Sequence, residues 1–169
     1  WASVNESTME WTDTTWNPGT GCTEGRPGCD HVYARTVANR GEGVPGHPYE
    51  SGYAVTLRPE RLTQPLSWKR PSRVFVNSMS DLFHVGVPES FIREVFATMK
   101  QASQHQFQIL TKRADRLERL ARRLEIPENV WWGVSVEAPA DDSRIRHVSR
   151  GNGPVSILSI EALVSCPAA

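Results

Sequence analysis

The chain has 169 residues, enough for one ordinary domain with a real core. Hydrophobic residues make up 38% and charged residues 22%, a globular balance, and Lys plus Arg equals Asp plus Glu at 19 each. Zero net charge gives no support to non-specific attachment to nucleic acid or a membrane surface, which needs excess basic charge; it leaves a local basic patch open.

The first candidate strand is Thr8–Thr12, followed by the Gly/Pro-rich loop Thr15–Tyr33. Asp30–Arg40 reads as a helix stopped by Gly41, and residues 41–70 form one long irregular insert. Four buried strands follow at Arg73–Ser78, Gln106–Thr111, Val130–Val136 and Val155–Ile160. They are short and apolar, and Pro71, Pro127 and Pro154 punctuate them. Between them, Pro88–Ser103 sets Phe91, Ile92, Val95, Phe96 and Met99 at helix spacing, and Arg113–Leu124 sets Leu117, Leu120 and Leu124 against Arg and Glu. Asp141–Ser149 is a further helix candidate.

Strands alternating with helices imply βαβ units and a parallel sheet, either an open doubly wound sheet or a (β/α) barrel. Neither GxGxxG nor GxxxxGK[ST] is present, which weighs against a nucleotide-binding open sheet. The apolar runs fall short of a membrane span, and residues 1–8 carry neither half of a signal peptide, so the expected location is the cytoplasm. The chain starts at Trp1 and stops at Ala169 soon after a strand, which reads as a C-terminally truncated fragment of a single domain spanning residues 1–169.

Each strand runs into polar residues: Asn77, Ser78, Ser80 and Asp81; then Thr111, Lys112 and Arg113; then Ser135 and Glu137; then Ser159 and Glu161. Ser and Asp serve as helix caps, but the succession also suits a ligand site, because parallel strands deliver their C-termini to one edge. Asn77, Ser78, Lys112, Arg113, Glu137 and Glu161 are the cofactor- or substrate-binding candidates. Lys112–Arg123 holds six Lys/Arg against Asp115 and Glu118, which reads first as a solvated helix face with ion pairs and second as a nucleic-acid contact.

Three cysteines is an odd number, unlike a secreted disulfide framework. Cys22 and Cys29 share one loop after the first strand, and two readings stand side by side: reduced cysteines, or a metal or cluster loop. A third donor is not fixed by spacing. His31, and Cys166 if it folds near, would complete a zinc site.

The segments Glu10–Cys22, Pro27–Arg35, Gly43–Glu50, Leu57–Leu62, Val74–His84, Gln108–Arg113, Trp131–Glu137 and Leu158–Glu161 resemble a phage- and bacterium-encoded family of unknown function with a three-cysteine motif. That family is similar to a divergent branch of the radical S-adenosylmethionine (SAM) enzymes. The resemblance implies a partial (β/α) barrel and a [4Fe–4S] cluster held by three cysteines on the loop after the first strand. It also implies SAM on the open iron, cleaved by one electron to a 5′-deoxyadenosyl radical that abstracts hydrogen. The family pattern Cys-x6-Cys-x2-Cys puts Cys22 and Cys29 in the first two positions and Val32, which cannot bind iron, in the third. After the last strand the family has Glu-Pro-Leu-Leu-Gly, where this chain has Glu161, Ala162, Leu163, Val164 and Ser165. The expectation is a radical-SAM-like iron–sulfur protein with a degraded cluster motif, acting on a small-molecule or macromolecular substrate. The alternatives are a non-catalytic phage accessory or nucleic-acid-associated binding protein, and a zinc-binding protein.

Overall fold

The computed structural model describes residues 11–23, 38–45, 47 and 49–136, together with the backbone of a strand at Val155–Ile160. The strands are β1 (Thr14–Trp16), β2 (Gly19–Thr20), β3 (Thr56–Leu57), β4 (Arg73–Val76), β5 (Gln106–Thr111), β6 (Val130–Val136) and β7 (Val155–Ile160). The helices are α1 (Glu89–Gln101) and α2 (Ala114–Ala121).

Five strands form one parallel sheet in the order β1-β4-β5-β6-β7. Consecutive strands become neighbours, with α1 and α2 as crossovers, the progression of a (β/α) unit rather than a sheet that reverses direction. This is the expected α/β class with parallel β/α repeats. β5, β6 and β7 keep their sequence-expected limits. β4 stops two residues early because Asn77 takes a left-handed conformation, φ 58°, which no strand continues through.

Of the expected first strand Thr8–Thr12, residues 11 and 12 lie outside any strand and residues 8–10 lie outside the described residues; β1, the first strand of the described residues, begins at Thr14. The Asp13 carboxylate takes the Arg73 N–H at 2.7 Å and pairs with the Arg73 guanidinium at 2.9 Å, which sets the register Thr14↔Val74. The insert at 41–70 is not wholly irregular either: β3 pairs antiparallel with β2, and two 3₁₀ turns follow at Pro59–Arg61 and Gln64–Ser67. Residues 38–41 are helical, in line with the end of the expected first helix; its earlier part and the candidate helix Asp141–Ser149 lie outside the described residues.

Alternation along each strand divides the sheet into two faces. On one, Trp16, Val74, Val76, Phe107, Ile109, Val130, Trp132 and Val134 join Phe91, Ile92, Val95, Phe96 and Met99 of α1 and Leu117 and Leu120 of α2 in a single core. The other carries Thr15, Phe75, Leu110 and Trp131, all part-exposed, among the buried Gln108, Gly133 and Ser135. Among the described residues no helix is long and apolar enough to cross a membrane.

Candidate functional site at the strand ends

Asn77, Ser78, Thr111, Lys112, Arg113 and Ser135 end or follow parallel strands, so all are placed at the same edge of the sheet. Glu137 and Glu161 follow Val136 and Ile160 directly but lie outside the described residues, as do Cys29, His31, Val32 and Cys166.

The loop leaving β1 is held beside the loop leaving β4. The Asn77 N–H donates to the Trp16 carbonyl at 2.8 Å, extending the sheet by one step. The Asn17 side-chain oxygen accepts the Ser78 hydroxyl and the Met79 N–H, both at 3.2 Å, and the Ser80 hydroxyl reaches the Gly19 carbonyl at 2.9 Å. Gly21 then bridges to Ser80 and donates to the Met79 carbonyl. The insert closes from the other side. Here the Cys22 N–H donates to the Tyr53 carbonyl at 3.0 Å. Gly21 has φ +81°, and a β-carbon there would stand 2.1 Å from the Ala54 carbonyl oxygen, so backbone approach excludes any side chain. These contacts deliver Cys22, half-buried, to the sheet's C-terminal edge, where the sequence reading put it.

Asn77 is only 5% exposed, and its side-chain oxygen has no hydrogen-bond partner among the described residues. A buried acceptor without a donor costs on the order of 1–3 kcal/mol, so it is expected where a ligand supplies the donor. Asp81 is satisfied instead: its carboxylate accepts the Thr111 hydroxyl at 2.7 Å, the Phe83 N–H at 2.9 Å and the Lys112 N–H at 3.2 Å. It ties the loop after β4 to the end of β5 and so fixes where Lys112 and Arg113 begin.

Two features of this edge escape a sequence reading. His84 is buried, and its Nδ1 accepts the Gly86 N–H at 2.9 Å. Nε2 therefore carries the proton and donates to the Thr23 hydroxyl at 2.6 Å, one residue past Cys22. Burial, then the Arg113 charge, hold its pKa below the ordinary histidine value. Arg116 belongs to the basic stretch, yet its guanidinium donates to the carbonyls of Phe83, His84 and Val87, the last at 2.7 Å. It pins the loop that carries His84. Arg122, by contrast, pairs with Glu118 at 2.8 Å across one helical turn, the solvated ion-pair role expected of that helix. The signal for His84 was its place three residues after Asp81 in the β4 loop.

Among the described residues no group of three or more His, Cys, Asp or Glu side chains could hold a metal ion. The three-cysteine loop expected from the sequence supplies two thiolates, Cys22 and Cys29, with Val32 at the third position. That donor set does not fit a cubane needing three protein ligands.

Three solved structures of spore photoproduct lyase share this fold. A double mutant with bound AdoMet and dinucleoside spore photoproduct is similar with a TM-score of 0.64 at 12% identity, over 94% of this chain and 47% of the lyase. A single mutant gives 0.59 at 12% identity, over 96% and 48%. The lyase complexed with dinucleoside spore photoproduct gives 0.57 at 12% identity, over 95% and 48%. This chain thus spans about half the length of these lyases. No curated protein sequence matches it. A family model described as "Protein of unknown function (DUF5131)" matches residues 6–166, and the chain belongs to that family.

Proposed function

We propose that this protein binds S-adenosylmethionine at the C-terminal edge of a radical-SAM-type β/α sheet, with a cluster loop one thiolate short. The observation that carries this reading is the buried, unpartnered side-chain oxygen of Asn77, set beside the Cys22 loop on the edge where parallel strands converge. Asn77 would accept from the ligand's ammonium. Lys112 and Arg113 would face its carboxylate, with Ser78, Glu137 and Glu161 completing the candidate set. AdoMet bound to a lyase of this fold supports the choice of ligand.

The second thread of the reading concerns iron. Cys22 and Cys29 are the remaining candidate ligands for a [4Fe–4S] cluster, and Val32 replaces the third. Radical chemistry is therefore not assigned to the chain as it stands. Zinc on Cys22, Cys29 and His31 is the competing metal chemistry, and metal analysis of the purified protein separates the two: zinc without sulfide favours it over a cluster.

Calorimetric titration of AdoMet tests the ligand assignment. The folded protein is expected to bind AdoMet, and Asn77→Gly, which keeps the left-handed backbone and removes the oxygen, to bind it about tenfold more weakly. No heat of binding from folded wild-type protein, or equal affinity in Asn77→Gly, overturns it.

A further inference from the structure

The second face of the sheet carries a row of side chains that lies outside the proposed AdoMet site. Across it the register aligns Phe75 with Gln108 and Gln108 with Trp131, one row over three strands. Gln108 is 5% exposed; its amide nitrogen donates to the Trp11 carbonyl at 3.2 Å, while its side-chain oxygen has no partner among the described residues. Trp11 packs edge-on against Phe75 with ring centroids 4.9 Å apart. Trp131 is part-exposed and has no ring partner among the described residues. Two residues along β6, Gly133 leaves its place on this face without a side chain, opposite Leu110. A glycine inside a strand weakens the strand and marks a close approach of another group.

We propose that this row binds a nucleobase, with its ring stacked on Trp131 and a ring N–H or amino group donating to the Gln108 side-chain oxygen. On the opposite face of the same strands the large apolar side chains are buried under the helices, although the Trp132 indole N–H there also lacks a partner among the described residues. On this face a half-exposed indole adjoins a buried acceptor that needs a donor. An anion supplies no donor, and none of Thr15, Phe75, Gln108, Leu110, Trp131, Gly133 and Ser135 carries a charge to meet one. A flat heterocycle bearing N–H groups meets both demands. The chain's zero net charge speaks for reading a single base rather than tracking a phosphate backbone. As the substrate class of the proposed AdoMet protein, this inference rests on that reading; as a binding site it stands apart from it.

The test is saturation-transfer NMR with uridine and with adenosine, and binding of a short single-stranded oligothymidine, each with and without saturating AdoMet. Nucleoside binding with no gain for the oligonucleotide identifies a free nucleoside, and tighter oligonucleotide binding identifies a base within a strand; either supports the site. Trp131→Leu is expected to weaken binding about fivefold or more, the scale of one base stacked on one aromatic side chain. Gln108→Leu removes the acceptor and is expected to weaken it about fivefold. Gly133→Val adds a branched side chain to this face two residues along β6 while leaving both contacting residues in place, and is expected to weaken binding in a protein that melts as the wild type does. The proposal is overturned if folded wild-type protein binds none of the three probes, or if all three variants bind as well as wild type. AdoMet binding without base binding sinks this inference alone; base binding without AdoMet binding sinks only the preceding one.

Discussion

The two faces of the sheet are made by alternate residues of the same strands, yet they have been given different tasks. One face carries Val74, Val76, Phe107, Ile109, Trp132 and Val134 into a continuous core under α1 and α2. The other, with the edge it runs into, carries buried acceptors without donors at Gln108 and Asn77 and part-exposed aromatic rings at Phe75 and Trp131. Hydrophobic burial accounts for the first face except for the Trp132 indole N–H, which is buried without a partner among the described residues. The second is explained only if something else completes it. The lesson is that a period-two strand lets one sequence specify a fold and a site at once, with little interference between them.

The largest expected effect lies on the helix-covered face. Phe107→Ala is expected to cost about 3–5 kcal/mol, and Leu110→Ala, its neighbour on the other face, less than half as much, both by urea denaturation. Equal losses would erase the distinction between the faces. Next comes Asp81→Ala, which strands the Thr111 hydroxyl and two backbone N–H groups; about 2–3 kcal/mol is expected from the same measurement. Asn77→Gly should separate the tasks. Its stability is expected to stay within about 1 kcal/mol of wild type, because glycine adopts φ 58° readily, while AdoMet affinity falls.

The pH responses are smaller. The pKa of His84 is depressed in the fold, so the unfolded chain takes up the proton first. Its contribution is full above the unfolded value near 6.5 and is lost as pH falls below it. Chemical denaturation between pH 8 and pH 5.5, wild type against His84→Gln, should show a shallower decline in the variant. Smallest of all is Asp13, held below the ordinary carboxylate value by the Arg73 side chain. That stability is present above pH 3.8 and lost as pH falls through the lower folded value. The pair is half exposed and screened by solvent, so a double-mutant cycle is expected to give the weakest coupling of the set.

How much of this was legible depended on whether local pattern or distant pairing decided the outcome. β5, β6 and β7 were readable because β-branched and aromatic runs bounded by turn residues have few other uses. β1 was not read from the sequence because its three residues become a strand only by pairing with β4, and they carry little local pattern of their own. The strand-end candidates followed from parallel topology, which sends every C-terminus to one edge. His84 and Arg116 did not follow. A lone histidine and one arginine in a basic helix carry bland local readings, and their roles appear only when the loop after β4 folds back on α2. The buried oxygen of Gln108 was hidden for the same reason, since a glutamine in a strand says nothing about its partners.

The central claim, a radical-SAM-type site one thiolate short, is tested most directly by anaerobic iron and sulfide reconstitution of Val32→Cys beside the wild type. Because the chain spans about half of the similar lyases, the comparison is made both in this chain and in one extended with a family relative's C-terminal part. The wild type is expected to retain little iron. Val32→Cys is expected to gain a brown cluster with matched iron and sulfide, and to lose it again when Cys22 or Cys29 is changed to Ala. A folded, extended Val32→Cys protein that still binds no iron would contradict the claim.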